Sequence, residues 1–493
     1  MSTVTRDIVQ KLWNLCNVLR DAGITYQQYV SELSFLLFLK MAKETGQEQH
    51  LPAGLRWDPL RDQSEGEVLG FYRGLLQGLG TQGSAQVRAI FHGASTALKE
   101  PRHLRILLEG LDRLDWFEAR REGLGDLYEG LLAKNAGELK SGAGQYFTPR
   151  PLVDSMVALL QPRPGEVIQD PAAGTGGFLV AAHRWLRTQP AGSDRHAEFD
   201  QRAESDELGA DPRRPQRPSS EYGTQAKIVA MELVEDVQRL LRMNLLLHDI
   251  EGQVVLGDAL SSAGAGLGRA DLILTNPPFG SKKGGGGPSR VDLEHTSANK
   301  QLAFLQHVYR GLRPGGRAGV VVPDNVLFED HTGRQVRAEL MERCDLHTVL
   351  RLPTGIFYAQ GVKTNVLFFT RGETDRGNTR AVWIYDLRSG MPNFGKRSPF
   401  TREQLADFEA AYGADPRGRS ERREQARWRR FSREQIGQRG DNLDIAWQGE
   451  SGAADHEQPG DPEVLTAGVL ELLRAVAAEL EALQADLGGD TGR

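Results

Sequence analysis

Between residues 165 and about 370, short apolar runs alternate with longer segments of helical spacing, and this alternation constrains the fold more than any other feature of the chain. Val167-Ile168, Ile228 to Met231, Val254 to Leu256, Leu272 to Thr275, Gly319 to Val322, His347 to Leu352 and Asn365 to Phe369 read as strands. Phe178 to Leu186, Val234 to Leu247 and Gln301 to Leu312 read as the helices between them, the last ended by Arg313-Pro314-Gly315-Gly316. Strands alternating with helices specify a doubly wound α/β domain, here with a largely parallel, seven-stranded, Rossmann-like sheet.

The flanks differ in kind. Residues 1–136 carry apolar residues at helical spacing, as in Ile8, Leu12, Leu15, Leu19 and again in Leu104, Leu107, Leu108, Leu111, Leu114, so an all-helical domain is expected. Leu33 to Met41 is apolar nearly all round, the mark of a helix buried within that bundle, and Trp13, Trp57 and Trp116 are expected in its core rather than facing a partner. Residues 137–395 form the α/β domain, interrupted at 190–221 by a polar, proline-rich insertion expected to be solvated. Ala381 to Asp386 adds one further candidate strand. Residues 396–493 are polar and basic and end in a partner-docking helix. Residues 415–433 hold Arg417, Arg419, Arg422, Arg423, Arg427, Arg429, Arg430 and Arg433 against only Asp415, Glu421 and Glu424, which suits either a solvated helix face or contact with phosphate or an acidic partner. The terminal stripe from Leu465 to Leu487 suits docking on its own domain or on another subunit.

Net charge bears on partners. At −6 over 493 residues, the chain lacks the basic balance of a protein that grips DNA alone, so a local patch or a partner would have to neutralise phosphates. Cys16 and Cys344 are too few for a disulfide framework or a zinc cluster, so no metal centre is expected and a reducing cytoplasm fits. The longest apolar stretch, Phe35 to Leu39, falls far short of the ~20 residues that span a bilayer.

Chemistry gathers at the strand ends, where open α/β sheets bind ligands. Asp170-Pro171-Ala172-Ala173-Gly174-Thr175-Gly176-Gly177-Phe178 follows a strand and opens a helix, with small residues that let backbone approach a ligand. It departs from the dinucleotide fingerprint, and its carboxylate would repel a pyrophosphate but attract an ammonium group. Glu232 and Asp258 follow the next two strands; the first suits two ribose hydroxyls and the second an adenine amine. One acid per successive strand end describes a pocket for a cationic nucleoside amino acid. At the fourth strand end stands Asn276-Pro277-Pro278-Phe279-Gly280. Two adjacent prolines lack N–H donors and fix φ, leaving a rigid loop that presents acceptors. An Asn oxygen, a Pro carbonyl and an aromatic face together accept both hydrogens of an exocyclic amine and stack on its ring, as adenine N6 would require. The glycine-rich stretch Lys282 to Pro288 directly after it suits a mobile flap over substrate or a plain linker.

Gly144-Gln145-Tyr146-Phe147-Thr148-Pro149-Arg150, Asp170 to Phe178 and Asn276 to Phe279, in that order, resemble the methylation (M) subunit of type I restriction-modification systems. The likeness runs on through His248, Val322 to Phe328 and Leu352 to Phe357 and so spans nearly the whole chain. It implies an S-adenosyl-methionine-dependent DNA adenine N6-methyltransferase subunit. The implied partners are DNA, a specificity (S) subunit, a second M subunit and, for restriction, an ATP-driven restriction (R) subunit. It turns the 145–150 loop, otherwise readable as a linker, into a lining for the cofactor's methionine moiety formed by Gln145, Tyr146, Phe147, Thr148, Pro149 and Arg150. It also assigns Thr175, Gly176 and Gly177 to cofactor contact and Glu232 to the ribose, with Asp170 and Asp258 completing the set. A protein glutamine N5-methyltransferase is the alternative, because an amide nitrogen suits the same Asn-Pro-Pro geometry; those enzymes carry Tyr at the position of Phe279 and lack the 145–150 loop.

Overall fold

The structure, a computed structural model, describes residues 11, 15, 26–114, 116, 148–188, 226–280, 290, 292–297, 299–357, 362–392, 394–395 and 398–447. Gln145, Tyr146, Phe147, the 190–221 insertion, the 282–288 stretch and the 465–487 stripe lie outside the described residues. The chain divides into two compact units, one holding residues up to 132 with 156–256 and 270–274, the other holding 133–155, 257–269 and 275 onward.

In the first unit, the principal helices before residue 115 are α1 (Tyr26–Thr45), α2 (Val68–Thr81), α3 (Ala85–Phe91) and α4 (Pro101–Asp112). Leu33, Phe35, Leu36, Leu37, Phe38, Leu39 and Met41 are all buried, so α1 is covered on every side. The reason is its place: it packs on the other helices of this segment and also on the helix Glu235–Leu247 that follows the second strand. Phe35 stacks on Phe91 at 5.4 Å. Lys40, buried in the same helix, pairs with Asp112 at 2.7 Å and Glu44 at 3.0 Å and lies over the rings of Trp57 and Trp116. Both tryptophans are buried, as expected of large aromatics in a helical segment, and Trp13 lies outside the described residues.

β1 (Val167–Asp170), β2 (Lys227–Glu232), β3 (Gly252–Leu256) and β4 (Ala270–Thr275) follow, with α5 (Arg150–Leu160) ahead of them, α6 (Gly177–Thr188) after β1 and α7 (Glu235–Leu247) after β2. Their order is β3-β2-β1-β4, and β1 pairs in parallel with both β2 and β4. Parallel β2/β3 register sets Glu232 opposite Leu256, so the strand ends stand side by side.

In the second unit, α8 (Lys300–Gly311), β5 (Leu312–Pro323), α9 (Thr332–Arg343), β6 (Cys344–Arg351), β7 (Thr364–Arg371), β8 (Ala381–Asp386), α10 (Ala406–Tyr412) and β9 (Trp428–Ser432) run in the order β5-β7-β6-β8-β9 across the sheet. β7 lies antiparallel between β5 and β6, β6 pairs β8 in parallel, and β9 pairs β8 antiparallel. Among the described residues the sheet therefore has nine strands rather than seven: the seven candidates form β1–β7, and β8 and β9 extend it. Parallel pairing holds through β3-β2-β1-β4, and antiparallel pairing enters with β7 and β9.

Two expectations change. Helix α8 stops at Gly311, and the Arg313-Pro314-Gly315-Gly316 stretch belongs to β5, where Gly315 takes φ 74°. The arginine-rich stretch is no helix face: it contains β9, a sheet-edge strand whose Trp428 is buried while Arg429 and Arg430 are exposed. Arg422 turns inward over the rings of Tyr412 and Trp428 and donates to Thr348 Oγ1 at 3.0 Å.

Candidate active site

In the first unit, β1 delivers a buried Asp170 to the sheet's C-terminal edge, where its Oδ1 accepts from Ala172 N at 3.1 Å and shapes the turn. The glycine-rich loop then crosses toward β2: Ala173 N donates to Met231 O at 2.9 Å. Gly174 at φ 54° and Gly176 at φ 88° take the left-handed backbone that other residues avoid. A Cβ on Gly176 would stand 2.6 Å from Leu241 Cδ1 of α7, so any other residue would also have to displace that side chain. Gly177 opens α6, whose first N–H groups close this cradle.

Glu232, at the end of β2, is nearly buried and accepts through both oxygens: Oε2 from Gly174 N at 3.0 Å and Oε1 from Val234 N at 2.9 Å. Burial pushes its carboxyl above the ordinary glutamate range, and the N–H groups of Val234, Gly174 and Leu233 oppose that shift. These backbone donors occupy part of the carboxylate's acceptor capacity, and the remainder suits a hydroxyl donor. Asn244 was not among the candidate residues, yet from the buried face of α7 its Nδ2 donates to Thr175 O at 2.9 Å and holds the loop. An Asn inside a helix with apolar neighbours Met243 and Leu245 is the only trace of it in the sequence.

In the second unit, the Asn-Pro-Pro-Phe loop is held from three sides. Asn276 Nδ2 donates to Thr148 Oγ1 at 3.0 Å, uniting residues 128 positions apart. Thr148, read as a cofactor contact, thereby also meets the Asn-Pro-Pro-Phe loop, and Pro149 O accepts the first free N–H groups of α5, from Leu152 at 2.9 Å and Val153 at 3.1 Å. Gln301 Nε2, buried at the start of α8, donates to Pro278 O at 2.9 Å. Phe279 meets Phe357 edge-on, with ring centroids 6.3 Å apart, and Gly280 at φ 100° turns the chain away. Arg150 pairs with Asp154 one turn along α5 at 3.4 Å. Asp258 folds back on its own turn, accepting from Leu260 N at 2.8 Å.

The Val322 to Phe328 and Leu352 to Phe357 motifs meet through Arg388, another residue that sequence reading missed. It forks onto Asp324, with both contacts at 2.8 Å, and donates to Leu352 O at 3.0 Å and Thr364 O at 3.1 Å. Burial raises the Asp324 carboxyl, but the Arg388 hydrogen bonds and charge outweigh it and hold the group below its usual range. Arg269, Asp292, Arg310, Leu312, Arg343 and Arg371 line a cavity elsewhere in this unit. Arg269 precedes β4 and Leu312 opens β5, the strand ends opposite those that carry the candidate residues. Its guanidinium groups are matched by carboxylates, as at Arg310–Glu339 (2.5 Å) and Arg343–Glu339 (2.6 Å), which makes it an ion-pair network.

A strand-end turn of glycines beside the nearly buried Glu232, and an Asn-Pro-Pro-Phe loop held at another strand end, are the features that bear on the class. Residues 119–456 match the model of the N-6 DNA Methylase family, and the chain belongs to it. It is 46% identical to the type I restriction enzyme EcoKI methylase subunit of Escherichia coli (strain K12), over 98% of this chain and 95% of that one. It is likewise 46% identical, with the same coverage, to the StySJI methylase subunit of Salmonella typhimurium. The crystal structure of the EcoKI M protein matches with TM-score 0.55 at 42% identity, covering 98% of this chain and 96% of that one. A chain solved in work on complex assembly and conformational transition of the type I R-M system matches with TM-score 0.67 at 26% identity over 100% of both. Within the N-6 methylases, the chain is a member of the family of type I restriction enzyme methylase subunits. Among the described residues, no helix is long and apolar enough to cross a membrane.

Proposed function

We propose that this chain transfers a methyl group from S-adenosyl-methionine to N6 of an adenine flipped out of duplex DNA, in the cytoplasm. A separate S subunit, a second M subunit and, for cleavage, an R subunit complete its complex. The observation that carries the reading is the Asn276 to Phe279 loop, pinned by Thr148 and Gln301. When bound, S-adenosyl-methionine supplies a methyl carbon open to displacement. The residues present fit it: Gly174, Thr175, Gly176 and Gly177 form a cradle without side-chain bulk, Glu232 offers two acceptors for ribose hydroxyls, and Asp170 supplies negative charge for the ammonium end. Thr148, Pro149 and Arg150, with Gln145, Tyr146 and Phe147, are assigned to the methionine moiety, and Asp258 to the adenine amine.

Adenine N6 is a poor nucleophile because its lone pair is delocalised into the ring. Asn276 Oδ1 and the Pro277 carbonyl accept its two hydrogens, draw the nitrogen toward tetrahedral geometry and free that lone pair. Pro278 keeps the loop rigid and Phe279 stacks on the extruded base. Catalysis then comes from positioning and electrostatics, with no tuned general base. Asn276→Ala is expected to abolish methyl incorporation into DNA by the assembled complex and to leave S-adenosyl-methionine affinity nearly intact by calorimetry. Unchanged transfer would overturn the mechanism. Protein glutamine methylation is not favoured, because the relatives at 46% identity are DNA restriction-enzyme methylase subunits.

A further inference from the structure

Pro277 and Pro278 leave the acceptor loop with an unusual problem. Neither has an N–H group, so the segment cannot be tied down by its own backbone donors, and both have φ fixed by their rings. The soft backbone torsions from Asn276 to Phe279 are therefore Asn276 ψ, itself restricted by the proline that follows, the two proline ψ angles and Phe279 φ; Pro277 ψ turns the Pro277 carbonyl, and anchoring both ends of so short a segment limits it. One end of the segment is held by the Asn276 side chain on Thr148 Oγ1 at 3.0 Å. The other end is held at the Pro278 carbonyl by Gln301 Nε2 at 2.9 Å.

Gln301 is built for this. It is 2% exposed, and its side chain leaves the first turn of α8. Its backbone N–H is capped by Asn299 Oδ1 at 3.0 Å, and Asn299 Nδ2 in turn donates to Glu329 Oε2 at 2.6 Å, so the base of the side chain is itself fixed. A carbonyl oxygen only accepts, so the Gln301 amide must present its nitrogen to Pro278. We propose that Gln301 is a positioning residue for methyl transfer: its buried amide fixes the Pro278 carbonyl and thereby the angle at which Pro277 offers its acceptor oxygen to the target amine. This rests on the reading of Asn276 to Phe279 as the acceptor loop.

The test uses the chain assembled with its specificity subunit, labelled S-adenosyl-methionine and site-containing DNA, with Gln301→Ala and Gln301→Glu. Loss of the donor lets the acceptor drift, so Gln301→Ala is expected to lower kcat by about a hundredfold and leave KM for S-adenosyl-methionine within about twofold. The glutamate is nearly isosteric but, when ionised, has no proton to give and sets charge against the Pro278 oxygen; when protonated it donates an O–H. Burial holds such a carboxyl above its ordinary range, so the activity of Gln301→Glu relative to wild type should rise as the assay moves from about pH 8.5 to about pH 6. A purely structural role would not produce that profile. Gln301→Ala with kcat within about threefold of wild type, or a Gln301→Glu to wild-type ratio that is flat with pH, overturns the proposal. Asn276→Ala runs beside them: if it turns over like wild type, the acceptor-loop reading fails whatever the Gln301 variants do.

Discussion

Glu232 illustrates how one side chain carries two duties. Its oxygens hold the glycine-rich loop through Gly174 N and its own turn through Val234 N, and the same carboxylate is the proposed acceptor for two ribose hydroxyls. Burial raises its pKa above the ordinary value, and only the ionised form accepts at both oxygens. The sign follows: the carboxylate is present above the raised pKa and is lost as pH falls through it, at a higher pH than for an exposed glutamate. Cofactor affinity, measured by calorimetry, should therefore weaken on acidification toward the raised pKa. Glu232→Gln should bind about 10- to 100-fold more weakly at neutral pH, a loss of roughly 1.5–3 kcal/mol, and should lose that pH dependence. An affinity in the variant equal to wild type would remove Glu232 from the ribose role.

The glycine-rich loop between β1 and α6 makes its own prediction, because two of its glycines are constrained differently. Gly174 has positive φ but open space around its Cβ direction, whereas Gly176 has positive φ and Leu241 Cδ1 at 2.6 Å. Gly174→Ala should cost about 1 kcal/mol of backbone strain, and Gly176→Ala should cost more, since the buried Leu241 side chain must also give way. Scanning fluorimetry should show the larger drop in melting temperature for Gly176→Ala, with weaker cofactor binding; equal drops would mean that the Leu241 side chain yields freely. β9 shows the limit of reading elements locally. As an edge strand it buries little beyond Trp428 and spends its outward positions on arginine, so its sequence lacks the apolar run by which β1–β8 were readable.

At the scale of the whole chain, net charge and the use of arginine decide how it meets DNA. The stretch 415–433 holds the densest positive charge in the sequence, yet much of it serves the fold: Arg422 is packed on Tyr412 and Trp428, Arg427 donates to Asp386 O at 3.0 Å, and Arg433 pairs with Asp441 at 2.6 Å. With −6 overall, the isolated chain should bind DNA weakly and without site preference. A gel shift at physiological salt checks this, and tight site-specific binding by the chain alone would refute it. Such weak binding is what the proposal of a separate subunit for site choice requires.

The sequence by itself determined the local pieces: eight of nine strands, the buried all-apolar α1, the glycine cradle and the proline-stiffened acceptor loop. Each is written in neighbouring residues, as hydrophobic period, fixed proline φ or the need for positive φ, so no distant partner is required to read it. Only the tertiary structure decided the insertion of β7 between β5 and β6, the recruitment of β9, and the pairing of Thr148 with Asn276, Gln301 with Pro278 and Asn244 with Thr175. The three side-chain contacts join residues 128, 23 and 69 positions apart through single hydrogen bonds. Such contacts have no period and no composition of their own; they exist because burial removes water and leaves each polar group to find its partner in the folded chain.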